Sequence, residues 1–235
     1  MTIISYTASS EAPSSVLETS KISHDLLCIY EQLKSSQWGC NNFPKDLFNY
    51  HSLLNGERYV EALRVLLASR GVYGYLVDQY LPYASQVAYW NNLPPQSDPV
   101  GWRSHPQSTL SSGLGNDICK KFQRDLRILL NLRNGQKKGL NIEVKSRSTV
   151  ASGSIWQYPN IDVGSCKHWD LIKFPVHYLA VIDTSTGDTR ICPADTMTRE
   201  TSWLRRKNHD ICYSVPRHLF TSIEAWVDFL RDKYQ

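Results

Sequence analysis

The sequence has no apolar run long enough to cross a membrane. Its longest apolar stretches, Leu26–Tyr30 and Val60–Leu67, fall far short of the roughly 20 residues that a membrane-spanning helix needs. Residues 1–20 are rich in serine and threonine, and they show neither the basic start nor the apolar core of a signal peptide. These two absences predict a cytoplasmic protein without a membrane partner.

The sequence also lacks the spacings of familiar metal and nucleotide sites. Its six cysteines form no CxxC pair and its seven histidines form no HxH or HExxH pattern, which argues against a disulfide framework and a zinc site. It contains no Walker A sequence and no glycine-rich loop for a methyl donor. We therefore expect reduced thiols and a chemistry that uses neither ATP nor a methyl-donor cofactor.

Positive charge is concentrated in one segment of the chain. The formal net charge is only +4, but residues 113–147 contain nine basic and three acidic side chains. Residues 1–112, by contrast, contain seven basic and nine acidic side chains. Such a local excess predicts a polyanionic partner, although a basic face exposed only to solvent would have the same composition.

The order of the apolar patterns predicts a single α/β domain. A length of 235 residues favours one domain, and we expect an extended or flexible arm over residues 1–20 before a single domain over 21–235. Asn55 is positioned to cap the second helix and Gly71 to end it. The expected helices cover about residues 20–38, 55–70 and 221–234, and the expected strands cover about 72–81, 124–132, 140–145, 176–183 and 189–193.

The clearest local signal is a hairpin that carries two acids and a lysine. Asn134-Gly135 predicts the turn, and Asp125 opens the strand that leads into it. Glu143 and Lys145 are two residues apart in the returning strand, so they share one face. A register centred on the turn sets Asp125 nearly opposite Glu143, and the three side chains are then expected to converge.

These three side chains suit the hydrolysis of a phosphodiester bond. Mg²⁺ prefers oxygen ligands and retains several waters, so Asp125 and Glu143 are expected to bind it together with a phosphate oxygen. Lys145 beside them would hold or deprotonate the attacking water and pair with the phosphate. An ordinary Glu–Lys pair on an exposed strand has the same spacing, and it is the alternative to this interpretation.

The strand–turn–strand pattern resembles the PD-(D/E)xK nuclease superfamily, which has the restriction-endonuclease-like fold. The resemblance rests on the acid at the head of one strand and on Ile142-Glu143-Val144-Lys145-Ser146 in the other. It implies a mixed central β-sheet of four or five strands flanked by helices, with a catalytic core over about residues 55–195. It also implies a divalent-metal nuclease mechanism in which the catalytic set is Asp125, Glu143 and Lys145.

Members of this superfamily often add a glutamate from a helix ahead of the motif, about ten residues before a glycine. Glu61 stands ten residues before Gly71, so the resemblance implies that Glu61 is a further catalytic residue. Glu57, one turn earlier on the same predicted helix, is the competing candidate. Asp117 competes with Asp125 if the hairpin is longer than drawn, and no proline precedes Asp125 as the family name would suggest.

Side chains around the hairpin are candidates for contacts with DNA. Gln157 and Asn160 lie beyond the hairpin in a segment that contains aromatic residues, and their amides are suited to the base edge of adenine. The expected contacts to DNA phosphates are the basic residues Lys120, Lys121, Arg124, Lys137, Lys138 and Arg147.

Together these features predict a Mg²⁺-dependent, site-specific endonuclease of double-stranded DNA, and a type II restriction enzyme is the leading interpretation. A homing or repair nuclease of the same fold is the alternative within the enzyme class. A nucleic-acid-binding module that does not cut is the alternative outside it. Palindromic recognition would favour a homodimer on symmetry grounds.

Overall fold

The computed structural model describes residues 14–41, 45, 50–76, 125–149, 153–165, 176–197, 203–207 and 210–234. Four of the residues singled out from the sequence lie outside these ranges: Asp117, Lys120, Lys121 and Arg124. None of the described helices combines the length and the apolar character needed to span a bilayer.

Three helices account for most of the helical residues: α1 (Ser14–Ser35), α2 (Tyr50–Ser69) and α3 (Ile223–Tyr234). Helix α1 begins inside the stretch predicted as an arm. Helix α2 begins before Asn55, so the predicted cap is wrong; Asn55 lies within the helix and accepts a hydrogen bond from the Tyr30 hydroxyl at 3.1 Å. Gly71 adopts φ +81° directly after α2, which confirms the predicted helix end.

A mixed six-stranded sheet forms the centre of the fold and confirms the α/β class. The strands of this sheet are β1 (Tyr73–Leu76), β2 (Leu126–Asn131), β3 (Lys137–Arg147), β5 (Tyr178–Asp183), β6 (Thr189–Pro193) and β9 (Thr221–Ser222). They lie in the order β1-β2-β3-β5-β6-β9, and the β3–β5 pair is parallel while the other pairs are antiparallel.

The β2–β3 hairpin turns at the predicted dipeptide. Gly135 has φ +77°, a conformation that glycine adopts without strain, and the Gln136 backbone N–H donates to Asn134 Oδ1 at 3.0 Å. The register pairs Leu126 with Ile142, and this alignment extends along the whole hairpin. Local turn chemistry therefore fixes which residues of the two strands face each other.

The two faces of the central sheet pack against different layers. On one face, alternate residues such as Ile128 and Ile142 form a core with α1, α2 and α3. On the other face, Leu179 and Val181 of β5 pack against a second sheet. That second sheet is antiparallel with the order β4-β8-β7, and its strands are β4 (Asn160–Ser165), β7 (Trp203–Lys207) and β8 (Asp210–Pro216).

The second sheet is absent from the sequence-based prediction. Ile161 and Val163 are buried and alternate with polar residues, which is a strand signal. The signal is weakened by Gly164 and by a shift of register between Asp162 and Gly164. Its partner β8 lies about fifty residues further along the chain, so no local turn announces the pairing.

Candidate active site

The two predicted carboxylates meet at the open end of the β2–β3 hairpin. Asp125 immediately precedes β2, whose first residue, Leu126, pairs with Ile142, the neighbour of Glu143 in β3. The Asp125 N–H donates to the carbonyl of Ile142 at 3.1 Å, and Asp125 Oδ2 accepts from the Val144 N–H at 2.6 Å. The strand backbone therefore fixes both the position and the orientation of the Asp125 carboxylate.

Lys145 pairs with Glu143 on the same strand face. Lys145 Nζ donates to Glu143 Oε1, and the side chains are 25 % and 4 % exposed, respectively. Burial by itself lowers the pKa of Lys145, but the charges of Glu143 and Asp125 and the hydrogen bond to Glu143 outweigh burial and raise it. The raised pKa favours the ammonium form of Lys145, which can hold a water or a phosphate oxygen.

We call Asp125, Glu143 and Lys145 the hairpin cluster. Within the described part of the chain, no group of three or more His, Cys, Asp or Glu side chains is placed to hold a metal ion. Two carboxylates are nevertheless a sufficient protein contribution for Mg²⁺, which keeps several waters and takes further oxygen ligands from a phosphate. The oxygen-only donor set of Asp125 and Glu143 thus fits Mg²⁺ and does not fit a softer metal such as zinc.

Glu61, the helix glutamate implied by the family resemblance, is buried on α2. Both of its carboxylate oxygens pair with the Arg64 guanidinium at 2.6 Å, in a bidentate ion pair one helical turn long. The charges that shift the pKa of Lys145 are those of Glu143, Asp125 and Arg147, and Glu61 is not among them. Glu57, the competing candidate, lies half-buried on the same helix. A catalytic role for either glutamate stays a prediction.

The basic residues expected to contact DNA lie in different places. Lys138 lies on the helix-packed face, where its Nζ donates to the Tyr234 hydroxyl at 3.3 Å, so β3 directs it away from the hairpin cluster. Lys137 is exposed at the far end of β3 from Glu143. Arg147 is on the same face as the cluster, but its Nε donates to the carbonyl of Asp162 at 3.3 Å and so ties β3 to β4. Burial lowers the pKa of Arg147.

Gln157 and Asn160 lie between β3 and β5, where the second sheet begins. Gln157 is exposed at the end of a short 3-10 helix, Ile155–Gln157. Asn160 is half-buried at the start of β4 and pairs with Pro216 of β8. The structure thus puts both amides on elements of the second sheet region, and their proposed contact with adenine stays a prediction.

Three further polar residues share the face of the hairpin cluster: Asn141 and His177, which the sequence analysis missed, and Arg127, a basic residue of the first strand of the hairpin. The Asn141 N–H donates to His177 Nδ1 at 3.1 Å, and Arg127 Nη1 donates to Asn141 Oδ1 at 3.5 Å. The alternation that places Glu143 and Lys145 on one face also includes Asn141, and the hairpin register sets Arg127 opposite it. Strand alternation was thus a sufficient signal for the position of Asn141, and the hairpin register was one for Arg127.

The cluster can position a phosphate and a water, since it combines two fixed carboxylates with one cation on a rigid hairpin. Another buried acid, Asp183, has a structural role instead, because it accepts hydrogen bonds from Ser154 Oγ at 2.5 Å and from the Ile155 and Ser185 N–H groups.

A scan against protein-family models, a search of curated proteins and a search of solved structures each found no match for this chain.

Proposed function

We propose that this protein is a Mg²⁺-dependent endonuclease that hydrolyses phosphodiester bonds in DNA. One observation carries the proposal: the Asp125 carboxylate is held by the Val144 N–H, between Glu143 and Lys145 in the sequence of β3, and Glu143 and Lys145 pair on one strand face. Three groups that the chemistry needs are thereby gathered on one pair of adjacent strands. An exposed surface pair would not explain why Glu143 is buried among polar neighbours.

Asp125 and Glu143 are the residues that would hold the metal. When bound there, Mg²⁺ supplies charge that offsets the charge developing on the phosphate and lowers the pKa of a bound water. Asp125 is held in orientation by the Val144 N–H, which reduces the reorganisation needed on binding. Lys145 donates a charge-assisted hydrogen bond to the attacking water or to a phosphate oxygen, and it holds that oxygen in line.

The topology supports the resemblance to the PD-(D/E)xK superfamily. The acid heads β2, the Glu-x-Lys sequence lies in β3, and both strands are inside a mixed sheet with α2 ahead of them in the chain. We further propose cleavage of double-stranded DNA at specific sites, as in a type II restriction enzyme. A homing or repair nuclease of the same fold would have the same cluster, and a palindromic site would favour a homodimer on symmetry grounds.

The proposal is tested by incubating plasmid DNA with the purified protein and Mg²⁺, with EDTA as the negative control. Discrete fragments are expected from a site-specific enzyme, and a smear from a nuclease without sequence preference. Asp125→Ala and Glu143→Ala should each abolish cleavage while binding to DNA in Ca²⁺ persists. Glu31→Gln, which removes an exposed carboxylate on α1, is the matched control and should cleave at the parental rate.

Full cleavage by either alanine variant would remove that residue from the catalytic set. Binding of DNA without cleavage under all metal conditions would identify the protein as a non-cutting nucleic-acid-binding module. Asp117→Ala tests the alternative acid. If Asp117→Ala abolishes cleavage and Asp125→Ala remains active, Asp117 replaces Asp125 as the proposed metal ligand.

A further inference from the structure

The sheet face that carries the hairpin cluster continues into an exposed aromatic surface. Tyr73 and Tyr75 of β1 are 67 % and 37 % exposed, and Leu129 of β2 is 40 % exposed. The register pairs Tyr73 with Leu129 and Tyr75 with Arg127, so these four side chains share one face. We call them the tyrosine face. Large apolar side chains gathered in this way on a soluble protein mark an interaction site more often than solitary ones do.

The tyrosine face and the hairpin cluster are on the same side of the same sheet. Tyr75 is paired with Arg127 and Arg127 with Asn141, two residues before Glu143. At a strand spacing of about 4.8 Å and a rise of about 3.4 Å per residue, the Cα atoms of Tyr75 and Glu143 are about 12 Å apart. A nucleic-acid strand that is cut at the cluster would therefore cross Arg127 and reach Tyr75 within a few nucleotides.

Arg127 supplies positive charge between the two sites. Its guanidinium lies across Gly139, where a Cβ atom would approach Arg127 Nε to 2.7 Å, so the missing side chain of Gly139 makes room for it. Its Nη1 makes a long hydrogen bond of 3.5 Å to Asn141 Oδ1, while its Nε is buried and has no acceptor among the described residues. The half-buried guanidinium carries a fixed positive charge on this face, which suits a phosphate and favours a nucleic acid over an apolar protein partner.

The spacing of the two tyrosines indicates what kind of nucleotide they would contact. Tyr73 and Tyr75 are two residues apart on one strand, so their side chains start about 6.8 Å apart. That is twice the rise of about 3.4 Å between successive bases of a duplex strand. Rings at this separation suit bases that have left the duplex stack, and aromatic side chains on a sheet surface commonly stack such bases.

We propose that Tyr73 and Tyr75 are a stacking platform for two unstacked nucleotides of the strand that is cut, with Arg127 contacting the phosphate between the platform and the hairpin cluster. This inference rests on the proposed function for its substrate, DNA. The two nucleotides are either unpaired before binding, as in a single-stranded tail, or extruded from a duplex by the protein.

The test measures binding, so it does not depend on cleavage. The full-length Asp125→Ala protein is titrated in Ca²⁺ into fluorescent DNA duplexes that are either blunt or extended by a four-nucleotide tail, and anisotropy gives Kd. The Asp125→Ala protein that retains both tyrosines should bind a tailed duplex more tightly than a blunt one. Tyr73→Ala/Tyr75→Ala should remove that preference, with a loss of about 5-fold to 150-fold for each stacked base. Tyr73→Phe/Tyr75→Phe should keep most of it, because the rings remain.

Phe229→Ala is the matched control, since Phe229 is 44 % exposed but lies on α3, which packs against the opposite face of the sheet, and it should bind like the parent. If the alanine pair fails to fold, Tyr73→Thr/Tyr75→Thr replaces it, because threonine is compatible with a strand. A blunt duplex carrying 2-aminopurine tests whether the protein extrudes bases. Extrusion would raise the fluorescence of 2-aminopurine with the parental tyrosines and not with the alanine pair.

The inference is overturned if the alanine pair loses no affinity for tailed DNA and gives the parental 2-aminopurine signal, as it would if a protein or another segment of the chain occupied this face. It is also overturned if tailed and blunt duplexes lose affinity equally while the 2-aminopurine signal stays at the parental level, because that loss would involve neither an unpaired nor an extruded nucleotide. The two proposals fail separately. A protein that cuts normally with the alanine pair and no tail preference keeps the nuclease proposal, and one that never cuts but binds tails through the tyrosines keeps the platform.

Discussion

The Lys145–Glu143 pair should contribute strongly to folding stability as well as to any chemistry. Glu143 is 4 % exposed and Lys145 25 % exposed, so Lys145→Ala leaves a carboxylate buried without its cation. Breaking a buried ion pair in this way costs about 3–5 kcal/mol. Because water reaches one quarter of the lysine side chain, we expect the lower end of that range, about 3 kcal/mol. For a chain of this length this corresponds to a fall in melting temperature of about 6–12 °C.

The assay is urea unfolding followed by tryptophan fluorescence, for which the buried Trp156 and Trp226 are reporters. The double variant Glu143→Gln/Lys145→Met removes both charges and should recover to within about 1 kcal/mol of the parent, since apolar replacement of a buried pair is often neutral. The matching single variants are Lys145→Met, which removes the cation as Lys145→Ala does and should also cost about 3 kcal/mol, and Glu143→Gln; with the double variant within about 1 kcal/mol of the parent, the two positions should show a coupling energy of at least about 2 kcal/mol.

The exposed pair of Lys34 and Glu31 provides the control. These side chains are 54 % and 61 % exposed, so Lys34→Ala should change stability by no more than about 0.5 kcal/mol. The reasoning is refuted if Lys145→Ala also changes stability by less than about 1 kcal/mol, or if the effects of the two single variants simply add in the double variant. Either result would mean that water already solvates the Glu143 carboxylate.

The other predictions concern catalysis, a turn and thiol reactivity. Lys145→Arg keeps the charge but not the compact ammonium, so cleavage in single-turnover assays should fall by about 10²-fold with little change in DNA affinity, and parental cleavage would reject a catalytic role. Gly187→Ala should destabilise the protein by about 1–3 kcal/mol in thermal unfolding, since Gly187 has φ +75° and a Cβ there would collide with the backbone of α1. Gly135→Ala should destabilise the protein less, because Gly135 has a similar φ of +77° but a Cβ there would meet open space. An equal destabilisation by the two variants would show that the backbone angle, and not the collision, is the cause. Burial raises the pKa of Cys192 to about 12, so iodoacetamide at a pH of about 8.5 should modify the exposed Cys28 and spare Cys192 until the protein unfolds. Mass spectrometry after brief labelling measures the two modifications, and equal labelling of both thiols would contradict the prediction.

The features that could be read from the sequence are those encoded by neighbouring residues. The Asn134-Gly135 turn and the two-residue alternation of β3 were enough to predict the hairpin and the shared face of Glu143 and Lys145. Helix α2 was predicted from its apolar periodicity, but its start was not, because the helix extends through Asn55 without a polar cap at the expected place. Boundaries of this kind depend on packing against α1, which the local sequence does not contain.

The features that could not be read depend on long-range pairing. The second sheet joins β4 to β8 across a large stretch of chain, and neither strand has a local partner that would reveal it. Lys138 differs, because the alternation along β3 already places it on the face opposite Glu143, and only its contact with Tyr234 is long-range. Glu61 matched a family spacing, whereas its ion pair with Arg64 is an ordinary contact between residues three apart on a helix.

The placement of the hairpin cluster within one short hairpin has a consequence for how the protein folds. Asp125, Glu143 and Lys145 are joined by a tight turn, whereas the parallel β3–β5 pair and the second sheet need contacts between distant parts of the chain. Hairpins form in about 1–10 μs, and non-local pairing is slower. We therefore expect the hairpin to form before the rest of the fold surrounds Glu143, so that Lys145 is already beside this carboxylate when burial removes its water.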